Sequence, residues 1–139
     1  MSTVIRPEIS RDNKYWINKH RYYELKHFCL QYPAWKKTIL NVYKTNTSTS
    51  IIEQVPSTNI PSDPTSKLAI SNLYYLDKIK LIENIVKETD KCLSYYILRG
   101  VTEGLSYTYL KTRLDIPCSR DTYYDRYRKF FWLLSQERN

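Results

Sequence analysis

The chain carries two glycines in 139 residues, Gly100 and Gly104. Sheets turn through glycine, because hairpin positions need a positive φ that other residues reach only at a steric cost. A chain this poor in glycine predicts helices joined by Pro, Asn, Asp and Ser turns, and hence an all-α fold. Hydrophobic residues make up 42% and charged residues 26%, the balance of a soluble globular chain. The length suits one domain, or one domain with an arm.

Prolines and polar tracts then divide the helices. Residues 1–12 contain Pro7 and read as a lead. A helix is expected from Asn13 to Gln31, with Trp16, Tyr23 and Leu30 repeating every seventh residue as its apolar face and Lys14, Arg21 and Lys26 elsewhere. Pro33 ends it and fits the first turn of a second helix to about Lys44, where Trp35, Ile39 and Val42 share a side. Residues 1–45 thus read as a basic, aromatic N-terminal helical hairpin. Residues 45–66, TNTSTSIIEQVPSTNIPSDPTS, hold three prolines among Ser, Thr and Asn. Helix cannot persist there, so 46–66 is expected to be a linker or long loop.

Residues 67–139 are expected to hold a long central helix and a C-terminal helix-turn-helix. Asp63-Pro64 is a helix start, with Asp as cap and Pro at the first position. From there to Arg99 there is neither Pro nor Gly. Leu68, Tyr75, Ile79, Ile82, Val86, Leu93 and Ile97 follow at spacings of 7, 4, 3, 4, 7 and 4, a heptad seam interrupted by Asn72 and Thr89. A second stripe carries Ile70, Tyr74, Leu81, Ile85 and Cys92. Two readings stand. One is a long core helix, or two helices broken near Thr89-Asp90 with Asp90 capping the second. The other is a dimerisation helix.

Gly100 is expected to cap this helix, and Thr102-Glu103-Gly104-Leu105 to form a turn. Ser106 can then cap a helix over Tyr107–Leu114. Pro117 breaks it within Asp115-Ile116-Pro117-Cys118. Ser119 caps a final helix whose first turn holds Asp121, which complements the helix dipole. Two helices joined by a short turn, the second longer and basic, is the helix-turn-helix pattern. On the last helix Tyr123, Tyr127, Phe130, Phe131 and Leu134 fall on one side and predict core. Thr122, Asp125, Arg126 and Lys129 fall opposite. The expected DNA-binding residues are Ser119, Arg120, Thr122, Asp125, Arg126 and Lys129, joined by Lys111 and Arg113 from the preceding helix.

The stretch LSYTYLKTRLDIPCSRDTYYDRYRKFFWLL resembles region four of the sigma-factor family. There a Ser cap, a Thr, a buried aliphatic residue and an Arg begin the recognition helix. The matching positions here are Ser119, Thr122, Tyr123 and Arg126, with Tyr in the buried position. Together with WINKHRYYELKHFCLQYPAWKK, the stretch is similar to small prophage proteins of low-GC Gram-positive bacteria, in the manner of the ArpU and RinA late transcriptional regulators. The resemblance implies a regulator of phage genes.

The net charge of +8 favours a polyanionic partner, because each Lys or Arg near a phosphate releases a counterion. The excess is uneven. Residues 1–45 hold nine Lys and Arg against three Asp and Glu; 46–101 hold six against six; 102–139 hold seven against five. The strongest basic field is therefore N-terminal.

Duplex DNA is the expected partner, with RNA polymerase and a homodimeric second copy as further ones. No apolar run approaches the ~18 residues of a membrane helix, and no signal-peptide core opens the chain. A cytoplasmic place in a bacterial host cell is expected. Catalytic chemistry has no foothold. His20 and His27 lack a third ligand, and satisfied, partly buried histidines are expected instead. Cys29, Cys92 and Cys118 form no CxxC pair and read as reduced, mostly buried thiols. No GxSxG or phosphate-binding glycine loop exists. The Tyr123-Tyr124 pair beside Arg120 and Arg126 suggests recombinase chemistry, but that needs a larger cation-lined domain. No metal, cofactor or catalytic residue is expected, and the chain reads as no enzyme. Two alternatives remain: a small terminase-type packaging subunit, and a helical protein-interaction module that does not bind DNA.

Overall fold

The computed structural model describes residues 13–49 and 64–138, with side chains left out over 42–71. Every regular element among them is a helix, so the fold is all-α: α1 (Lys19–Leu30), α2 (Tyr32–Thr49), α3 (Pro64–Thr89), α4 (Ser94–Glu103), α5 (Tyr107–Leu114) and α6 (Arg120–Glu137). They fall into two compact units. One takes the described residues up to Gln31 and from Leu81 onward, and the other is Tyr32–Lys80. Of the two helices read as a hairpin, α1 belongs to the first unit and α2 to the second.

In the first unit α1 packs on α4 and α6, and α4 on α5 and α6. α1 starts later than Asn13 because two asparagines act in turn. The Asn13 side chain accepts the Tyr15 N–H at 2.8 Å in a preceding turn, and Asn18 caps the helix by accepting the His20 N–H at 2.8 Å. The apolar face of α1 is also not the expected one. Tyr22, Leu25, Phe28 and Cys29 are buried, whereas Tyr23 is half-buried and Leu30 exposed. The seven-residue repeat does not mark the buried face: Trp16 precedes the helix, and Leu30, though exposed, lies near Gly104 at the end of α4.

Tyr22 stands at the centre of an aromatic cluster with α6. Its ring meets Phe131 edge-on at 5.2 Å, and its hydroxyl shares a 2.6 Å hydrogen bond with that of Tyr127. Burial and the Tyr22 hydroxyl raise the Tyr127 phenol well above its usual range. Arg21, at the edge of the same contact, donates to the carbonyls of Ser135 and Arg138 at the end of α6. A cation there satisfies carbonyls that the helix leaves without partners.

α3 ends at Thr89, where the break near Thr89-Asp90 was expected. Buried Thr89 returns its hydroxyl to the Ile85 carbonyl at 2.7 Å, so this polar member of the seam is satisfied. Asp90 Oδ1 accepts the N–H groups of Cys92 and Leu93 at 2.9 and 3.1 Å, ordering the turn into α4. Ile79, Ile82, Val86, Leu93 and Ile97 are buried within one chain. Ile82, Val86, Leu93 and Ile97 are core of the first unit, and Ile79 is buried in the second. α2 runs to Thr49, past the expected end near Lys44 and into the expected linker, and α3 takes in residues 64–66; the side chain of Leu68 and residues 50–63 lie outside the described residues.

Gly100 does not cap a helix. It lies inside α4, and Gly104 ends that helix at φ 68 and ψ 32, its N–H returning to the Gly100 carbonyl. Gly100 is there for space: a Cβ would stand 2.1 Å from the Tyr123 hydroxyl oxygen. The cysteines also depart from the reading. Only Cys29 is buried; Cys92 is exposed and Cys118 intermediate. His20 and His27 are exposed rather than partly buried.

In the second unit Tyr32, Trp35, Ile39 and Ile79 are buried. The Lys78 ammonium lies 4.2 Å from the Tyr74 ring centroid and 5.3 Å from that of Trp35. Leu40, Leu73 and Tyr74 are exposed. Val42 lies where side chains are not described.

Candidate nucleic-acid interface

α5 and α6 owe their places to side chains legible in the sequence. Ser106 accepts the Tyr109 N–H at 3.2 Å and starts α5. Asp115 ends it in the left-handed region, at φ 56 and ψ 48, the one non-glycine residue with positive φ among those described. Asp tolerates this conformation better than most residues. The N–H groups of Asp115 and Ile116 both turn back to the Leu110 carbonyl. Ile116, like Leu110, is fully buried, and Pro117 prevents the helix from resuming.

Two tyrosines pin this turn from outside it. The Tyr107 hydroxyl donates to the Cys118 carbonyl at 2.5 Å, and the Tyr107 N–H donates to the Tyr124 hydroxyl at 3.3 Å. The second bond satisfies one of the unpaired N–H groups at the start of α5. Tyr124 is buried, so the covered side of α6 is wider than expected: Tyr123, Tyr124, Phe130, Phe131 and Leu134 are all buried. Tyr127 is intermediate, with its hydroxyl held by Tyr22.

The expected contact residues separate into two groups. Ser119, Arg120 and Thr122 are exposed at the start of α6. Ser119 accepts the Thr122 N–H at 3.2 Å, and the two hydroxyls lie 3.0 Å apart. The Arg120 guanidinium lies over the Tyr124 ring at 5.4 Å. Lys111 and Arg113 are exposed in the last turn of α5, the former with its ammonium 3.4 Å from the Ile116 carbonyl. One five-residue connection, Asp115 to Ser119, joins these two ends.

Asp125, Arg126 and Lys129 are only partly exposed. Arg126 Nε donates to Asp90 Oδ2 at 3.0 Å and its Nη1 to Asp125 at 2.5 Å. The Asp90 hydrogen bond comes first among the causes that raise the Arg126 pKa further above its usual value. Burial works against Asp90 ionising, but Arg126 and the N–H groups of Leu93 and Cys92 together hold its carboxyl below the usual carboxylate range. Arg126 is thus engaged in fixing α6 to the α3–α4 turn. No periodicity could link it to a carboxylate 36 residues earlier in the chain.

Among the described residues no group of three or more His, Cys, Asp or Glu is placed to hold a metal, and no helix is long and apolar enough to cross a membrane. The chain matches no protein-family model, no curated protein and no solved structure.

Proposed function

We propose that the chain is a sequence-specific duplex-DNA-binding protein, a transcriptional regulator of the phage or prophage type, that presents the first turn of α6 to the major groove. The observation that carries this is the two-sidedness of α6. One side is embedded through Tyr123, Phe130, Phe131 and Leu134, while Ser119, Arg120 and Thr122 stand exposed at a capped helix start. A recognition helix needs such an end: rigid behind, polar and cationic in front. Lys111 and Arg113, across the turn, suit phosphates. The +8 charge supplies the attraction.

In this reading Ser119, Arg120 and Thr122 meet base edges or adjacent phosphates. Arg126 orients α6 through Asp90 and reaches DNA only by giving up that carboxylate. RNA polymerase as a second partner, and a bacterial cytoplasm as the setting, belong to the same proposal and rest on the sequence resemblance. A homodimer would use a surface other than the buried seam. Exposed Leu73 and Tyr74 on α3 and Tyr95 on α4 are apolar side chains close to it in sequence.

The test is a binding isotherm on a randomised duplex pool at several salt concentrations, followed by selection from the pool. Salt-sensitive binding that enriches a defined sequence supports the proposal. No binding at low salt removes it and leaves a helical protein-interaction module. Light scattering separates the packaging-subunit alternative: a ring many times the 16.7 kDa chain mass would favour it.

A further inference from the structure

One flank of α1 carries two lysines that packing leaves beside its buried side. The buried positions Tyr22, Leu25, Phe28 and Cys29 lie on one side of the helix. Lys19 and Lys26, seven residues apart, share one flank of the helix, about a right angle from that side, with Tyr23 beside them, and His20 and His27 stand farthest from it. Lys19, His20 and His27 are exposed and Lys26 is half-buried, its ammonium 5.9 Å from the Tyr23 ring centroid.

The counter-charges are already spent. α1 contains one acidic residue, Glu24, and Arg21 pairs with it, with Arg138 at 3.9 Å. Arg21 is further engaged with the carbonyls of Ser135 and Arg138. That flank of α1 therefore carries, among the described residues, a pair of lysines without a carboxylate on their own helix to neutralise them. Lys19, Arg21 and Lys26 are three of the nine cations that residues 1–45 set against three anions.

We propose that this face of α1 is a second phosphate-contacting surface, which grips the backbone of the same DNA duplex in addition to the first turn of α6. The proposal rests on the DNA-binding reading above. Lys19 and Lys26 stand about 10.5 Å apart along the helix axis, at 1.5 Å per residue. Phosphates of one strand rise about 3.4 Å apiece along the duplex axis, so two long, flexible lysine side chains at that separation can reach separate phosphates of one strand. α1 packs on α6 within one compact unit, so the two surfaces are carried by a single packed core. Lysine is a point charge without the planar fork that reads bases. This surface adds affinity and registers the protein on the duplex, and it does not choose the sequence.

The test is the double substitution Lys19→Ala with Lys26→Ala, assayed by fluorescence anisotropy on a short random-sequence duplex and on the selected site across a salt series. Each lost phosphate contact lowers the slope of log K against log salt by about 0.9. The expected result is a slope smaller by one to two units on both duplexes, with their affinity ratio unchanged. A slope equal to that of the wild type overturns the proposal, and so does an altered ratio with unaltered slope. The Lys19→Gln, Lys26→Gln pair, with the thermal midpoint of each variant, guards against a loss caused by unfolding: a slope that falls only in a variant that has lost its wild-type midpoint also overturns it. Absence of duplex binding by the wild-type chain overturns the DNA-binding reading itself. Wild-type binding with no effect of the lysines overturns this surface alone.

Discussion

Arg126 Nε donates to Asp90 Oδ2 at 3.0 Å, and this bond ties the middle of α6 to the turn between α3 and α4. The two carboxylate oxygens of Asp90 have separate duties: Oδ1 orders the turn by accepting two backbone N–H groups, and Oδ2 holds the arginine.

Asp90→Asn separates these duties, because an amide oxygen can keep the turn while the charge is lost. A partly exposed pair of this kind contributes about 1 kcal/mol at most. The folded carboxyl is depressed, so its contribution is present above the unfolded pKa of about 3.9 and is lost as pH falls through the lower folded value. The wild type is expected to exceed the variant in stability from neutral pH down to about pH 5. The gap should close below about pH 4. Chemical denaturation across that range checks this, and a gap independent of pH would mean that the charge is not what stabilises.

Gly100 and Tyr123 form a second coupled pair. The Tyr123 hydroxyl is buried without a hydrogen-bond partner, in the space a side chain at residue 100 would need. Gly100→Ala should cost about 1–3 kcal/mol through overpacking. Tyr123→Phe should cost little or stabilise, since it removes an unpaired buried hydroxyl. In the double variant the ring carbon would lie 3.3 Å from the new Cβ, tight but no longer a collision. A double-mutant cycle should therefore show a favourable coupling of about 1 kcal/mol or more. Additive effects would contradict the contact.

Phe131 is fully buried between α1 and the rest of α6, with Tyr22 and Tyr127 edge-on at 5.2 and 4.9 Å. Phe131→Ala should cost about 3–5 kcal/mol. An unchanged urea midpoint would place the core on another side of α6.

Asp115 pays for its left-handed backbone at the end of α5. Asp115→Gly should raise stability by up to about 1 kcal/mol. Asp115→Val should lower it by at least as much, because a β-branched side chain fits that region poorly. Equal midpoints for the two variants would contradict the turn geometry.

The local punctuation of the chain was readable because it depends on neighbours. Ser106, Ser119 and Asp121 mark α5 and α6, Pro64 opens α3, and the break at Thr89-Asp90 follows from residues a few positions apart. What depends on distant partners was not readable. The inner face of α1 was misassigned because Tyr22 is chosen by Tyr127 and Phe131, over a hundred residues later. Gly100 looked like a cap because its real constraint, the Tyr123 hydroxyl, lies on another helix. At the candidate interface, the exposed placement of Ser119 and Arg120 followed from their place at the helix start, and that of Thr122 from the wheel as well. Arg126 shared the same wheel positions, yet Asp90 engages it, and a wheel carries no information about α3 or α4.

The most direct test of the account is the salt dependence of duplex binding by the wild-type chain and by Arg120→Ala, measured by anisotropy on a selected site and a random duplex. Arg120 is exposed at the start of α6 and lies over the Tyr124 ring, so its loss should lower stability by no more than about 1 kcal/mol and leave the chain folded. The account predicts wild-type binding that weakens linearly in log salt. It also predicts that Arg120→Ala loses either about one unit of slope, for a phosphate contact, or about 1–3 kcal/mol of discrimination, for a base contact. A wild-type chain that ignores duplex DNA at low salt would contradict it, as would Arg120→Ala isotherms superimposable on the wild type on both duplexes.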